Sequence, residues 1–576
     1  MKQLNRDRTT QICIAILSVL GLIVCISVLF PQIRSFIITL IGREQSMSQG
    51  VFKVLQSFAM GGICMILFVD YCTLTNSGRL LVNKVKQEII DCLSETDFRS
   101  FLKPVLFMSG VYLLGIFTII RANFSYLDDL DRSINDYQKW YFWSRYVSDF
   151  VSFFVHGDFK LTDISPLPQL LAVLILSVSS VLLVYVIGDK KITTIRLLAS
   201  IPLGLSPYFL SCIAYKFDAP YMALSILLSI IPFLFITRKK AFLFCSVVSL
   251  LIMCMTYQAA SGIYLLIVII LCFQDWNCRK RPDKEILSFI AMSAFAFCFA
   301  MLFFRFFLMK PAQPNLTHYA TTEMFALPDM LSGIVRNIAS YIMSIRQNFG
   351  ITWKIGIVFV CIFFIIKSIH VSSRKKTLAF FVSILVICIS FILAYGVYTF
   401  LILHVWIPRF FIGFGIFLAI MCIYVVSDYK KIAIVAVLAL NWCLLVFSFS
   451  FGNALADQAR YSEFRVGILL YDLNTLFFNQ ATESFSIQLE NSIEYAPSIK
   501  NIAKHYPIIE ELVPKRLGEG FFMDSQYYLA HFNYNQCKSV NGTPIDFRPL
   551  NLPVVLDSHY HTIKSDGSRI LVILKH

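Results

Sequence analysis

The sequence predicts an all-α polytopic membrane protein with a small α+β domain at its C-terminal end. Three observations carry this expectation. Hydrophobic residues make up 57% of the 576 positions and charged residues only 15%, a balance unlike that of a soluble globular domain. Apolar runs of about 20 residues, the length of a bilayer-crossing helix, recur along the chain. Lys and Arg gather in alternate connections: Arg79, Lys84 and Lys86; Lys190, Lys191 and Arg196; Arg238 to Lys240; Arg279 to Arg281; Arg374 to Lys376; Lys430 and Lys431. Such clustering marks cytoplasmic loops. The net charge of +15 therefore reports topology, and no nucleic acid is expected as a partner.

In chain order, spans are placed near 11–30, 51–74, 104–121, 168–187, 197–214, 220–237, 286–308, 351–368, 378–400, 408–427 and 432–451. The first run lacks a small-residue cleavage pattern and reads as an uncleaved span. The run 241–274 is too long for one span and has basic clusters at both ends. It is expected to form two short helices turning near Tyr257, Gln258, Ser261 and Gly262. The total is about thirteen, with the N-terminus inside and the C-terminus outside. Between the second and third spans, Leu80, Leu81, Val85, Ile89, Ile90 and Leu93 alternate with charges as in an amphipathic helix lying on the membrane.

Three regions follow from this layout. Residues 1–96 form an accessory transmembrane hairpin with its amphipathic helix, and 97–451 a transmembrane core whose first outer loop is 122–167. Residues 452–576 form a soluble outer domain. That domain opens with a helix around Asp457 to Phe477. It continues with a strand at Leu552 to Leu556 and a hairpin joining Tyr560–Lys564 to Arg569–Leu574 through Asp566-Gly567. Of the sixteen cysteines it holds only Cys537, so no disulfide framework is available within it.

The chemistry gathers in the first outer loop. Between Asn123 and Gln169 the chain packs Asp128, Asp129, Asp131, Arg132, Asp136, Arg145, Asp149 and Asp163, charges too costly for hydrocarbon. Asp128 and Asp129 follow a span by a few residues, which holds them near the lipid headgroups. A carboxylate there can take a proton from a sugar hydroxyl while cations stabilise a phosphate leaving group. A solvated acidic loop is the plainer reading. Arg132 lies four residues after Asp128, an ion-pairing spacing on a helix. Arg145 follows the aromatic run Trp140 to Trp143, read first as an interfacial belt and second as a sugar-stacking surface. Arg305 and Arg409 each sit at the outer rim, where a cation either snorkels or binds a lipid phosphate. His559 and His561 alternate as on one strand face. No metal-ligand spacing accompanies them, and they read as surface histidines. No phosphate-binding loop, dinucleotide fingerprint or zinc-protease motif is present.

The run Tyr126-Leu-Asp-Asp-Leu-Asp-Arg-Ser133, followed by Trp140, Ser144-Arg145, Asp163-Ile-Ser-Pro166 and Leu167-Pro-Gln169, resembles the opening loop of the bacterial serotype-converting O-antigen glucosyltransferases, the Gtr family. Tyr215-Lys-Phe-Asp-Ala-Pro220, Thr256-Tyr-Gln258 and Pro408-Arg409 extend the likeness over roughly residues 100 to 450. The resemblance implies a GT-C-like membrane glycosyltransferase in the inner membrane, with its C-terminal domain in the periplasm. It would move a hexose, glucose by family, from undecaprenyl phosphate to lipid-linked O-antigen or a related surface polysaccharide. Asp128 and Asp129 become the catalytic candidates, and Arg132, Arg145, Asp163, Asp218, Arg305 and Arg409 the substrate contacts. The donor arrives activated, so neither cofactor nor metal is expected. A companion flippase and a polyprenyl-phosphate glucosyl synthase are implied as partners. A lipid-linked sugar flippase and an O-antigen ligase or polymerase are the competing readings. The near absence of charge within the spans and the modest 310–350 loop count against them.

Overall fold

The computed structural model describes residue 70 and residues 75–309, 323–402, 406–427, 431–477, 486–518, 525–532 and 546–575. Among them, eight helices are long and apolar enough to cross a membrane: Arg99–Ala122, Leu167–Ile187, Gln258–Asn277, Asp283–Leu308, Ile351–His370, Lys376–Leu393, Pro408–Val426 and Lys431–Phe477. A ninth counts if Thr194–Leu205 and Pro207–Ala214, bent by 61°, form one broken span. The chain is thus a polytopic helical membrane protein, but the expected thirteen spans are corrected.

Backbone breakers explain part of the difference. The apolar run 197–214 breaks where Ser206 caps Phe209 N through its hydroxyl at 3.3 Å and Pro207 supplies no N–H. The run 220–237 is an α-helix only over Ala219–Ile230, and Pro232 falls within the 3-10 turn that follows. The run 241–274 does divide, at Met255 to Tyr257, but its first half Lys239–Cys254 is only 16 residues long. The spans expected near 11–30 and 51–74 lie outside the described residues, apart from Asp70.

The two ends of the bundle differ in charge. At the end carrying the basic connections, Arg279 and Arg281 pair with the buried Asp275, and Arg374 pairs with Asp283. The amphipathic helix forms over Asn76–Glu95 and docks at this end. Glu88 accepts from Ala241 N at 3.0 Å, and Arg238 pairs with Glu95 at 2.7 Å. Leu80, Val82 and Ile90 stay exposed along its other face.

The last span and the expected tail helix are one element. Lys431–Phe477 runs for 47 residues without a break, since no proline interrupts Phe451 to Asp457. At 1.5 Å per residue it is about 70 Å long, more than twice the hydrocarbon thickness. Its membrane half lies close against Arg99–Ala122. Thr118 donates to Ser448 O at 3.2 Å, and a Cβ on Gly452 would come within 2.5 Å of the Thr118 carbonyl carbon. Small residues let these backbones approach where lipid offers no hydrophobic drive.

Its far half, through Val466, Leu469, Leu473 and Phe477, enters the core of a four-stranded sheet. The sheet order places Ser486–Glu490 beside Arg569–Leu574 in parallel, then His561–Ser565 and Val554–Asp557 antiparallel. The hairpin turns at Gly567, whose φ of +97° favours glycine.

His561 corrects the surface reading: it is 1% exposed, and its Nε2 lies 3.0 Å from Asp472 Oδ2 on the long helix. His559 does remain exposed. Burial lowers the His561 pKa below the ordinary 6.5, against the opposing pull of Asp472. The unfolded chain therefore takes up this proton first as pH falls. Stability is full above about pH 6.5 and is lost below it, by about 1.4 kcal/mol per unit between the folded and unfolded values. Denaturation followed from pH 7 to about pH 5.5 should show this loss in the native protein and not in His561→Gln. Equal slopes for the two would refute it.

Candidate functional site

The first loop is built as a short helix, Asp129–Asn135, a 3-10 turn, Trp140–Trp143, and a second helix, Tyr146–His156. Phe150 and Phe154 stay exposed on that second helix, as on one resting in the membrane interface. The loop is pinned to the turn between the split helices. Val147 N donates to Met255 O at 3.1 Å, and Gln258 donates to Trp143 O at 3.2 Å.

The structure separates the two adjacent aspartates. Asp129 is wholly buried, and its Oδ2 accepts from Tyr126 N at 2.8 Å and from Lys216 N at 3.0 Å. Its Oδ1 is buried without a hydrogen-bond partner among the described residues. Burial, with the charge of Asp128 added, holds the Asp129 carboxyl well above its ordinary pKa. Asp128 is the accessible one, with 41% of its side chain exposed. Its Oδ2 accepts from Arg132 Nε and Nη2, both at 3.2 Å, across the four-residue helical spacing.

Arg132 organises the remaining charges. It is 4% exposed, lies 4.3 Å over the Trp140 ring and donates to Gln138 O at 2.6 Å. Asp218 Oδ2 lies 3.9 Å from it. Burial opposes its charge, but Asp218 and Asp128 outweigh burial and raise its pKa above the usual guanidinium value. The Trp140 indole N–H donates to Asp218 Oδ1. Trp140 is therefore an internal member of the site, which corrects its reading as part of an interfacial belt, whereas Tyr141 is exposed. Lys216, also buried, donates to Asp163 Oδ2 at 2.9 Å.

Arg145 and Arg409 meet around Tyr257. The Arg145 guanidinium lies 4.6 Å over that ring, and the Tyr257 hydroxyl donates to Arg409 O at 3.1 Å. The Arg409 guanidinium lies 4.9 Å over Tyr215, whose ring meets Tyr126 at 4.9 Å, so aromatic contacts join the arginines to the acid pair. Arg305 stands apart. It is exposed within the π-helical turn Phe304–Leu308, it reaches Met309 Sδ at 3.9 Å, and no ion pair joins it to the carboxylates among the described residues.

Sequence reasoning missed Arg516, which the C-terminal region brings against the loop. Its guanidinium lies 4.2 Å over Phe124, and burial brings its pKa down to about 10, with Tyr528 and Asp129 opposing. The Tyr126 hydroxyl donates to Leu512 O at 2.7 Å, and Leu130 packs into the C-terminal core. The basic pair Lys515-Arg516 after Glu510-Glu511 was the only signal available in the sequence. Among the described residues no three His, Cys, Asp or Glu side chains converge as a metal ion requires.

Fold and site together define a polytopic helical membrane protein with a built acidic and basic site at one end of its bundle. The family model of glucosyl transferase GtrII matches residues 117–410, a little over half of the chain, and the chain belongs to that family. The matched segment runs from the end of the span before Asp128 to just beyond Arg409, in agreement with the first-loop resemblance. The chain is also similar to an uncharacterised 55.3 kDa protein from the gtrB 5′ region of Salmonella phage P22. The two are 24% identical over 424 residues, covering 70% of this chain and 85% of the phage protein. No solved structure matches the chain.

Proposed function

We propose that this glycosyltransferase moves a hexose, glucose by family, from undecaprenyl phosphate to a hydroxyl of lipid-linked O-antigen or a related surface polysaccharide. The reaction takes place on the periplasmic face of the inner membrane. The observation that carries the reading is the accessible Asp128 carboxylate, held by Arg132 and set among buried charges in a member of a glucosyl transferase family. The phage relative's gtrB neighbourhood supports the O-antigen context. The charge difference between the bundle ends supports a cytoplasmic basic end and a periplasmic site.

In this reading Asp128 takes the proton of the acceptor hydroxyl as its oxygen bonds to the donor's anomeric carbon. The bond from that carbon to the phosphate oxygen breaks, and undecaprenyl phosphate leaves with the electron pair. Arg145 and Arg409 stabilise the charge gained by the phosphate. Asp129 fixes the loop by binding the Tyr126 and Lys216 amides. Asp163 and Asp218 hold Lys216 and Arg132 in place, and the C-terminal domain forms the wall nearest the acceptor.

The test is the mass of the surface polysaccharide repeat in cells with and without the gene. A repeat one hexose heavier only when the gene is present is the expected result. An unchanged repeat, with undecaprenyl-linked hexose accumulating on the cytoplasmic leaflet of cells lacking the gene, would replace the transferase by a transporter.

A further inference from the structure

One face of the span Asp283–Leu308 carries an open aromatic row. Phe295, Phe299, Leu302 and Phe306 follow at the spacing i, i+4, i+7, i+11, which places them in line along the helix. Each is between 44% and 64% exposed, so the whole row is accessible from the bilayer. The rings are ordered: Phe295, Phe299, Phe303 and Phe307 meet in series, with centroids 6.0, 6.0 and 4.9 Å apart. The exposed row at the same spacing on Ile351–His370, formed by Ile351, Ile355, Val358 and Ile362, is aliphatic, as plain contact with phospholipid tails requires. From Phe295 to Phe306 the row is about 16 Å long, one leaflet's depth of hydrocarbon.

A cation stands at the end of the row. Arg305 immediately precedes Phe306 in the π-helical turn Phe304–Leu308 and is exposed. Among the described residues its guanidinium has no hydrogen-bond partner beyond Met309 Sδ at 3.9 Å. Turns of this kind are rare and gather at functional sites. A guanidinium at the edge of hydrocarbon is costly unless it meets water or a phosphate. The same turn is tied to the loop, because the Tyr146 hydroxyl donates to Leu308 O at 2.9 Å and Tyr146 directly follows Arg145. The row therefore ends where the charged site begins.

We propose that this row and Arg305 form the docking surface of the lipid-linked donor. The polyprenyl chain lies along Phe295, Phe299, Leu302 and Phe306, and Arg305 holds its phosphate before the head group moves on to Arg145 and Arg409. The inference rests on the transferase reading. A polyprenyl chain is branched and unsaturated, and its methyl groups and double bonds pack on ring faces by dispersion. Its single phosphate complements the guanidinium. A surface that only captures the donor binds ground state and transition state alike, so its loss raises KM and leaves kcat unchanged.

The experiment uses the full-length protein in proteoliposomes with two donors, undecaprenyl-phosphate glucose and a short isoprenyl-phosphate glucose. The triple variant Phe295→Leu/Phe299→Leu/Phe306→Leu keeps the row apolar and its thermal midpoint near the native one. Its KM for the long donor should rise about tenfold at native kcat, with no change for the short donor. Arg305→Gln, at an exposed position, should raise KM about fivefold for both donors, since both carry the phosphate. The control Ile355→Leu/Val358→Leu/Ile362→Leu should keep native constants. Native KM for the long donor in the triple variant would overturn the inference and leave the row to ordinary phospholipid. An equal rise for both donors in the triple variant, a rise in the control, or native KM in Arg305→Gln would also overturn it, while the transferase stands. No transfer by the native protein from either donor would overturn both.

Discussion

Asp128→Asn is expected to lower hexosyl transfer by about 10²- to 10⁴-fold, the usual contribution of a general base, while Asp129→Asn loses less than about tenfold. The contrast follows from what each carboxylate touches. Asp128 is exposed over 41% of its side chain and reaches solvent where an acceptor hydroxyl can meet it. Asp129 is wholly buried and spends one oxygen on two backbone amides that lie 90 positions apart in sequence, between Tyr126 and Lys216. An asparagine oxygen still accepts both amides, and its NH₂ replaces the unpartnered Oδ1. Asp129→Ala, by contrast, leaves two buried N–H groups without an acceptor and should destabilise by about 1–3 kcal/mol each. Transfer assays on the purified variants, read beside their thermal midpoints, check both halves. Full activity in Asp128→Asn would remove it as the base, and loss of activity in a stable Asp129→Asn would give that role to its neighbour.

Arg132→Met should destabilise the protein by about 3–5 kcal/mol, the cost of leaving a buried charge without its partner. Asp218, itself 4% exposed, would keep, among the described residues, only the Trp140 indole N–H facing its carboxylate. The Asp128 contribution is smaller, because that carboxylate is partly exposed and screened by solvent. The double variant Arg132→Met/Asp218→Asn removes both buried charges and should recover a large part of the loss. Unfolding in detergent solution measures both, and a single variant as stable as the native chain would contradict the ion-pair account.

Several features of the site were readable before any tertiary structure. The four-residue spacing from Asp128 to Arg132 needed only a helix to become an ion pair, and the loop supplies one over Asp129–Asn135. The likeness around Tyr215 to Pro220 pointed to Asp218, and the structure sets it beside Arg132. Trp140 misled, because aromatic residues near a span end usually rest among headgroups, whereas this one finds a buried carboxylate for its N–H. Arg516 could not be found by local pattern, since it lies hundreds of residues from Phe124 and reaches it only when the C-terminal region packs against the loop.

Composition and local pattern were enough to show a helical membrane protein with one basic end, charged residues gathered in the loop after Arg99–Ala122, and a hairpin that closes near Gly567. Hydropathy, charge and turn residues act locally, so they are legible in a string. Tertiary structure alone decided which apolar runs break at proline, which of two adjacent aspartates is buried, and which aromatic rings meet around Arg409. Burial and pairing depend on what other segments bring to a residue, and that information exists only once the helices have packed.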